Sequence, residues 1–268
     1  MPCKSINIIS IFKPAFNPII MNTDLKQPIV SNKKANYGVD APGVIRNLFL
    51  AGVAFCIVAI FFPLIKIGSV NIDASGLIWS GLGCSLGGAL MLAYSLHGKF
   101  KHRDRMLNYI TWAGNEQVLD VGTGRGLLMI GAAKRLTTGK SIGIDIWNAE
   151  DLSGNNMLNT TNNAEAEGVS DKIEILNENV MNMGFANNSF DVILSNMVIH
   201  NIYNKEGRKT ACEEISRVLK PGGTAVISDY RHVKEYYNNF KVIGLDAKLL
   251  PTNYFTTFPA VSTVIVSK

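Results

Sequence analysis

Apolar residues fall into three arrangements along this chain, and each predicts a different kind of element. Leu48 to Ile65 (LFLAGVAFCIVAIFFPLI) and Ala74 to Leu96 (ASGLIWSGLGCSLGGALMLAYSL) are uncharged runs of 18 and 23 residues. At ~1.5 Å per helical residue, both are long enough to cross a hydrocarbon core ~30 Å thick. Neither carries the polar face of a helix buried in a soluble core. They predict two membrane spans. A removable leader is disfavoured, because the first run starts late and a second follows it.

Beyond about residue 100 the pattern changes to short apolar runs alternating with Gly-rich turns and helical periods. Strands are predicted at 116–121, 141–145, 172–176, 190–195, 224–228, near 245–250 and at 261–267. Helices are predicted over 127–136, 205–219 and 231–243. This alternation implies an α/β fold, a parallel sheet with helices on both faces. Ligands of such sheets sit at the carboxyl ends of the strands, near the switch point in strand order. The first 43 residues, rich in Asn, Ser, Pro and Lys, show no sustained period and read as a loose tail. Met21 is an alternative start, because MNTDLK has an ordinary N-terminal character. The expected organisation is a tail (1–43), a helical hairpin (44–98) and a soluble domain (99–268). The basic stretch HGKFKHRDRM (97–106) links the last two.

Charge sharpens this division. The chain has 18% charged residues, against about 25% for an average soluble protein. Residues 1–46 carry a net +4, residues 47–106 a net +3, and residues 107–268 a net −2. The soluble region therefore lacks the basic footprint of a nucleic-acid enzyme. Nor does an N/D-P-P-Y/F motif follow the fourth strand. No nucleic-acid partner is expected. Lys33, Lys34 and Arg46 flank the spans on one side, and Lys99, Lys101, Arg103 and Arg105 on the other. By the positive-inside rule both ends, with the soluble domain, face the cytoplasm. Trp79 and Tyr94 fit interfacial positions, and His97 and His102 read as interfacial or solvated. Gly76, Ser80, Cys84 and Gly88 form a small-residue stripe suited to close helix packing. Cys3, Cys56, Cys84 and Cys212 show neither metal-binding nor CxxC spacing, so neither a metal nor a disulfide framework is expected.

Three features carry candidate chemistry. Gly122-Thr123-Gly124-Arg125-Gly126 follows the first strand of the soluble region, and Gly122 and Gly124 would let a ligand approach the backbone. Its G-x-G-x-G spacing differs from the G-x-G-x-x-G of dinucleotide enzymes, and it lacks the Lys-Ser/Thr of a triphosphate loop. Asp145 ends the second strand, where a carboxylate can accept from the two hydroxyls of a ribose. Ile146 and Trp147 follow and offer an apolar surface. Ser195 to Asn201 (SNMVIHN) then places polar groups where ligand and second substrate would meet.

Together these residues resemble the class I S-adenosylmethionine-dependent methyltransferases. VLDVGTGRGLL (118–128), GIDIW (143–147), FDVILSNMVIHNI (190–202) and RVLKPGGTAVISD (217–229) carry the likeness, which covers roughly Asn108 to Lys268. The SNMVIHN segment is most like the small-molecule branch that includes ubiquinone/menaquinone methyltransferases. The resemblance implies a Rossmann-like, seven-stranded sheet whose last two strands form an antiparallel edge. It also implies S-adenosyl-L-methionine as cofactor. Gly122, Thr123 and Gly124 would line its methionine portion, with Asp120 organising the loop. Asp145 would take the ribose and Ile146 the adenine. Asn179 and Val180 occupy the adenine segment, with Asn179 where an Asp is common, and Ser195 lies at the meeting point with the acceptor.

His200 is the candidate general base, although it could instead hydrogen-bond a helix start. Asp229 and Tyr230 are weaker candidates for shaping the acceptor site. The expected function is a membrane-anchored methyltransferase acting on a small-molecule or lipid-soluble acceptor. The alternative is a tethered cofactor-binding module without turnover.

Overall fold

The computed structural model describes residues 34–148 and 151–268. Most of the tail, with Cys3, Met21 and Lys33, lies outside the described residues. Helix α1 (Pro42–Phe61) opens with proline in its first turn, where a missing N–H is harmless. A short antiparallel hairpin, β1 (Leu64–Ile67) and β2 (Val70–Asp73), joins it to α2 (Leu77–Ala93). Helix α1 and the helical run Leu77–Leu107 that begins with α2 are long and apolar enough to cross a membrane, by length and composition.

Their seam is built on glycine. A Cβ on Gly52 would overlap Ser85, one on Gly81 would lie 2.5 Å from Cys56 Sγ, and one on Gly88 would press on the Phe49 ring. Gly76 and Gly83 meet nothing within 4 Å. The small-residue face turned to α1 is thus Gly81, Ser85 and Gly88, and only Gly88 belongs to the stripe expected from sequence.

The basic stretch after the second apolar run is not a linker. A turn of π-helix (Tyr94–Gly98) carries α2 directly into α3 (Lys99–Leu107). Met106 and Leu107 at its far end are fully buried in the core of the α/β domain. The expected boundary at 98/99 therefore falls inside one continuous helical run. Tyr94, expected at a membrane interface, is buried, and so is His102, expected to be interfacial or solvated.

The domain follows as β3 (Gln117–Val121), α4 (Leu127–Ala133), β4 (Lys140–Asp145), α5 (Met157–Ala166) and β5 (Ile173–Asn177). Next come β6 (Phe190–Asn196), α6 (Lys205–Val218), β7 (Leu219–Asp229), α7 (Val233–Ile243), β8 (Asp246–Leu249) and β9 (Ser262–Ser267). The seven-stranded sheet has the order β5-β4-β3-β6-β7-β9-β8. Strands β3 to β7 pair in parallel, and β9 runs antiparallel between β7 and β8. Strand order reverses between β3 and β6, the switch point at which a crevice opens.

Alternation along each strand feeds two apolar layers. Val118, Val192, Leu194 and Val226 pack with Met106, Leu107 and Leu128 of α3 and α4. Leu119, Val121, Ile193 and Ile227 face Ile215, Tyr236 and Phe240 of α6 and α7. Helix α3 runs against the strand direction. His102 meets the carboxyl ends of β6 and β7, whereas Tyr109 lines a cleft of about 620 Å³ at their amino ends with Gln117, Asp191 and Thr224. The helix leaving α2 therefore enters the domain from the carboxyl-end side of the sheet.

Candidate functional site

The loop after β3 is held in a shape that glycine alone allows without strain. Gly122, Gly124 and Gly126 have φ of +71°, +53° and +85°. The Gly122 and Thr123 N–H groups donate to Ile144 O at 2.8 and 3.0 Å, which pins the loop to β4. Gly122 is required by the protein itself, because a Cβ there would overlap Val198. A Cβ on Gly126 would crowd Ile130 and Thr160, so this glycine lets α4 start close to its neighbour. Gly124 is less constrained, with Leu152 Cδ2 3.0 Å from its added Cβ.

Asp120 organises this turn from beneath. Its Oδ2 accepts from Thr123 Oγ1 and from the Met129 N–H, each at 2.9 Å. Burial raises its carboxyl to about 7, although both hydrogen bonds favour the charged form. Asp145, one strand over, accepts from the Gly124 N–H through Oδ2 (2.8 Å) and from the Trp147 N–H through Oδ1 (2.7 Å). It latches the loop, and an ionised carboxylate keeps lone pairs for further donors. Ile146 is exposed. Trp147 has φ +60° and a buried Nε1 without a hydrogen-bond partner.

At the carboxyl end of β5, Val180 is buried and Asn179 exposed, with Asn179 Oδ1 accepting from the Met181 N–H at 2.9 Å. Ser195, opposite Val121 in the ladder, is buried and its Oγ has no partner. The structure thus brings Asp120, Gly122, Thr123, Gly124 and Asp145 into one turn. Asn179, Val180 and Ser195 stand on the same strand ends.

The far side of the switch point holds a second polar group. His200 Nδ1 is 2.8 Å from Asp229 Oδ1, and the ring packs edge-on against Tyr230 at 4.5 Å between centroids. Asp229, nearly fully buried, also accepts from the His200 and Tyr230 N–H groups and from Tyr236 Oη. Cys212 is a core residue whose thiol burial pushes up to about 12, so it supplies no nucleophile.

Sequence reasoning missed two features. His102 Nε2 lies 2.9 Å from Ser228 Oγ and 3.2 Å from Asn196 Oδ1, joining α3 to the last turns of β6 and β7. Burial, aided by the Arg105 charge, pulls this imidazole down to about 4, so it is neutral near pH 7. Asn196 and Ser228 face each other in the ladder, and polar residues ending adjacent strands were the available signal.

The second is a strap ahead of α1, within the stretch expected to be a loose tail. The Val39 N–H donates to Ser153 Oγ (2.7 Å), Ser153 N–H to Val39 O (3.1 Å) and Ala41 N–H to Asp151 O (3.0 Å). Asn163 Nδ2 donates to both Asn36 O and Arg125 O, at 3.0 and 2.8 Å. Lys99 closes the strap, donating to Tyr37 O and Gly38 O at 2.8 and 2.7 Å and pairing with Asp40 at 3.5 Å.

Residues 119–227 match a family model described as a methyltransferase domain. Over 126 residues the chain is 33% identical to the demethylmenaquinone methyltransferase of Bacteroides fragilis, covering 47% of each protein. It is 31% identical over 118 residues to a sarcosine/dimethylglycine N-methyltransferase of Aphanothece halophytica, covering 44% of this chain and 39% of that one. The chain spans about half the length of the curated relatives it matches, or less. Among solved structures, the fold is similar to geranyl diphosphate C-methyltransferase of Streptomyces coelicolor A3(2), solved with Mg2+, geranyl diphosphate and S-adenosyl-L-homocysteine. That match has a TM-score of 0.54 at 14% identity and covers 66% of this chain and 82% of that one. It shows the fold.

Proposed function

We propose that this chain is a membrane-anchored methyltransferase that moves the methyl group of S-adenosyl-L-methionine to a small, lipid-soluble acceptor. Residues 119–227 are a methyltransferase domain, and S-adenosyl-L-methionine is the donor that its family uses. The residues present fit that donor. Ser195 Oγ and Trp147 Nε1 are buried polar atoms without partners beside the loop strands, and Asp145 has acceptor capacity beyond its two backbone contacts. Gly122, Thr123 and Gly124 would hold the methionine portion over Asp120. Asp145 would take the ribose, and Ile146, Asn179 and Val180 would border the adenine.

The sulfonium supplies a methyl group that is already activated, so alignment is the protein's main task. The carboxyl ends of β6 and β7 receive the acceptor. Asp229 Oδ1 stands 2.8 Å from His200 Nδ1, where its charge would stabilise a protonated ring, so the other ring nitrogen can accept a proton from an acceptor hydroxyl or acidic carbon.

The observation that carries the membrane half of this reading is the unbroken helical run from Leu77 to Leu107. It leads from an apolar segment with lipid-length exposure into the domain core, touching the strand ends through His102 on the way. Lys34 and Arg46 lie before or at the start of the first apolar run, and Lys101, Arg103 and Arg105 follow the second, which favours a cytoplasmic domain. An acceptor dissolved in the bilayer would then lie on the side of the sheet where the site opens. The demethylmenaquinone methyltransferase relative supports a quinone-like acceptor. The test is to incubate the purified protein and methyl-labelled cofactor with lipid extracts and with soluble metabolite pools, then identify the labelled product. Label confined to soluble metabolites would overturn the lipid acceptor.

A further inference from the structure

We propose that the Tyr254–Phe255 turn, between β8 and β9, is a second membrane contact that seats in the headgroup layer beside the helix leaving the bilayer. The inference deepens the membrane-anchored reading above and rests on it. Phe255 is 97% exposed and Tyr254 71% exposed. Their exposure does not come from a frayed loop. Asn253 Oδ1 accepts from the Phe255 and Thr256 N–H groups at 3.2 and 3.1 Å. Thr257 Oγ1 donates to Asn253 O at 2.9 Å and accepts from the Val261 N–H at 3.2 Å, and the Asn253 N–H closes the base on Val261 O at 2.7 Å. A wired turn therefore presents two rings outward, with its Asn253, Phe255, Thr256 and Val261 N–H groups already bonded. Aromatic rings on such a pre-formed turn bury apolar surface in a partner without a large ordering cost.

The position of the turn names that partner. Strand β9 begins at Ser262 opposite Asp229, so the loop stands at the carboxyl end of the sheet. A methyl group on Gly98 would lie 3.5 Å from the Thr256 carbonyl oxygen. Gly98 is only two residues beyond Leu96, the end of the uncharged run, or ~3 Å along a helix axis. With the span in a bilayer, the turn sits at headgroup depth. Arg46, His97 and Lys101 are exposed around the same helix ends. Exposed aromatic rings and basic side chains at the same end of the domain suit an anionic lipid surface. Two contacts also do what one tether cannot: they keep the domain from swivelling, so the strand ends with His200 and Asp229 stay turned to the lipid.

Photo-crosslinking of the full chain in phosphatidylcholine/phosphatidylglycerol vesicles tests this. p-Benzoyl-phenylalanine is placed in turn at Phe255, at Leu86 within the second span, and at Tyr109 at the opposite end of the sheet. Phospholipid adducts are then read by mass spectrometry. We expect adducts at positions 86 and 255 and none at 109. Adducts at 86 without 255 would overturn the turn's contact while leaving the span in the bilayer. Absence at 86 would overturn the span and this inference with it. Equal adducts at 109 and 255 would overturn a directed face.

Discussion

Asp229 holds His200 at two points: its Oδ1 lies 2.8 Å from the ring Nδ1, and its Oδ2 accepts the backbone N–H at 3.2 Å. The His200 backbone is therefore fixed by a nearly fully buried carboxylate, which Tyr236 Oη steadies from the core, and the ring meets the same carboxylate by charge. Both contacts converge on one carboxylate rather than on a helix start, the placement that the proposed general base requires. We expect His200→Gln to lower kcat by about 10²–10⁴-fold, the usual contribution of a general base. Cofactor affinity, measured by calorimetry, should stay unchanged. Unaltered turnover would reduce the pair to a structural contact.

Asp145→Ala should weaken cofactor binding about ten- to a hundredfold, because a charge-assisted acceptor is typically worth about 1.5–3 kcal/mol. The carboxylate also latches the Gly124 and Trp147 N–H groups, so this variant loosens the loop as well. Asp145→Asn separates the effects: its amide oxygen can hold one latch, while its NH2 group cannot accept from a hydroxyl. Calorimetric affinity equal to wild type in both folded variants would remove Asp145 from the ribose role.

Asp120 gives a pH-dependent stability with a definite sign. Its carboxyl is raised from 3.8 to about 7 by burial, so the folded protein binds a proton that the unfolded chain releases. The resulting stabilisation is complete below the unfolded value and is lost as pH rises through about 7. Asp120→Asn keeps an oxygen for Thr123 and Met129 and removes the titration. Between pH 4 and pH 7, wild type should therefore lose melting temperature relative to this variant. Parallel curves over that window would contradict the assignment.

Much of the architecture was legible in period and punctuation. The Gly122–Gly126 turn and Asp145 ending β4 stand where their sequence patterns put them, whereas the antiparallel edge of β9 follows from the family resemblance and not from the pattern. What escaped depends on partners far along the chain. Lys99 reads as a flanking charge, because its carbonyl and carboxylate partners lie about sixty residues earlier. His102 looks solvated in its basic run until Asn196 and Ser228 are brought beneath it. Helix α5 (MLNTTNNAEA) shows no apolar stripe because Thr160 and Asn163, on its buried side, hydrogen-bond the glycine loop and the strap. The helix seam is offset from the expected stripe because α1 presents Phe49, Gly52 and Cys56, whose spacing selects Gly81, Ser85 and Gly88 opposite.

Lys99 is the residue through which the helical hairpin reaches the glycine loop of the proposed cofactor site. Its ammonium is 4% exposed and has three oxygen partners, two of them strap carbonyls and the third Asp40. Burial pushes the lysine down and the Asp40 carboxyl up, and each charge counters the shift of the other. The strap in turn holds residues 151–153, and Leu152 lies against Gly124. Lys99→Met should therefore free the strap. We expect about 1.5–3 kcal/mol of lost stability, the range for hydrogen bonds to a charged group, with new protease cleavage ahead of Pro42. Cofactor affinity should fall too, although Lys99 itself lies off the proposed cofactor site. A protein beginning at Lys99 lacks the strap altogether, so it should bind cofactor more weakly than the full chain, besides losing its reach to a bilayer acceptor. Equal cofactor affinity of truncated and full-length protein would sever the strap from the site and reduce the hairpin to a tether.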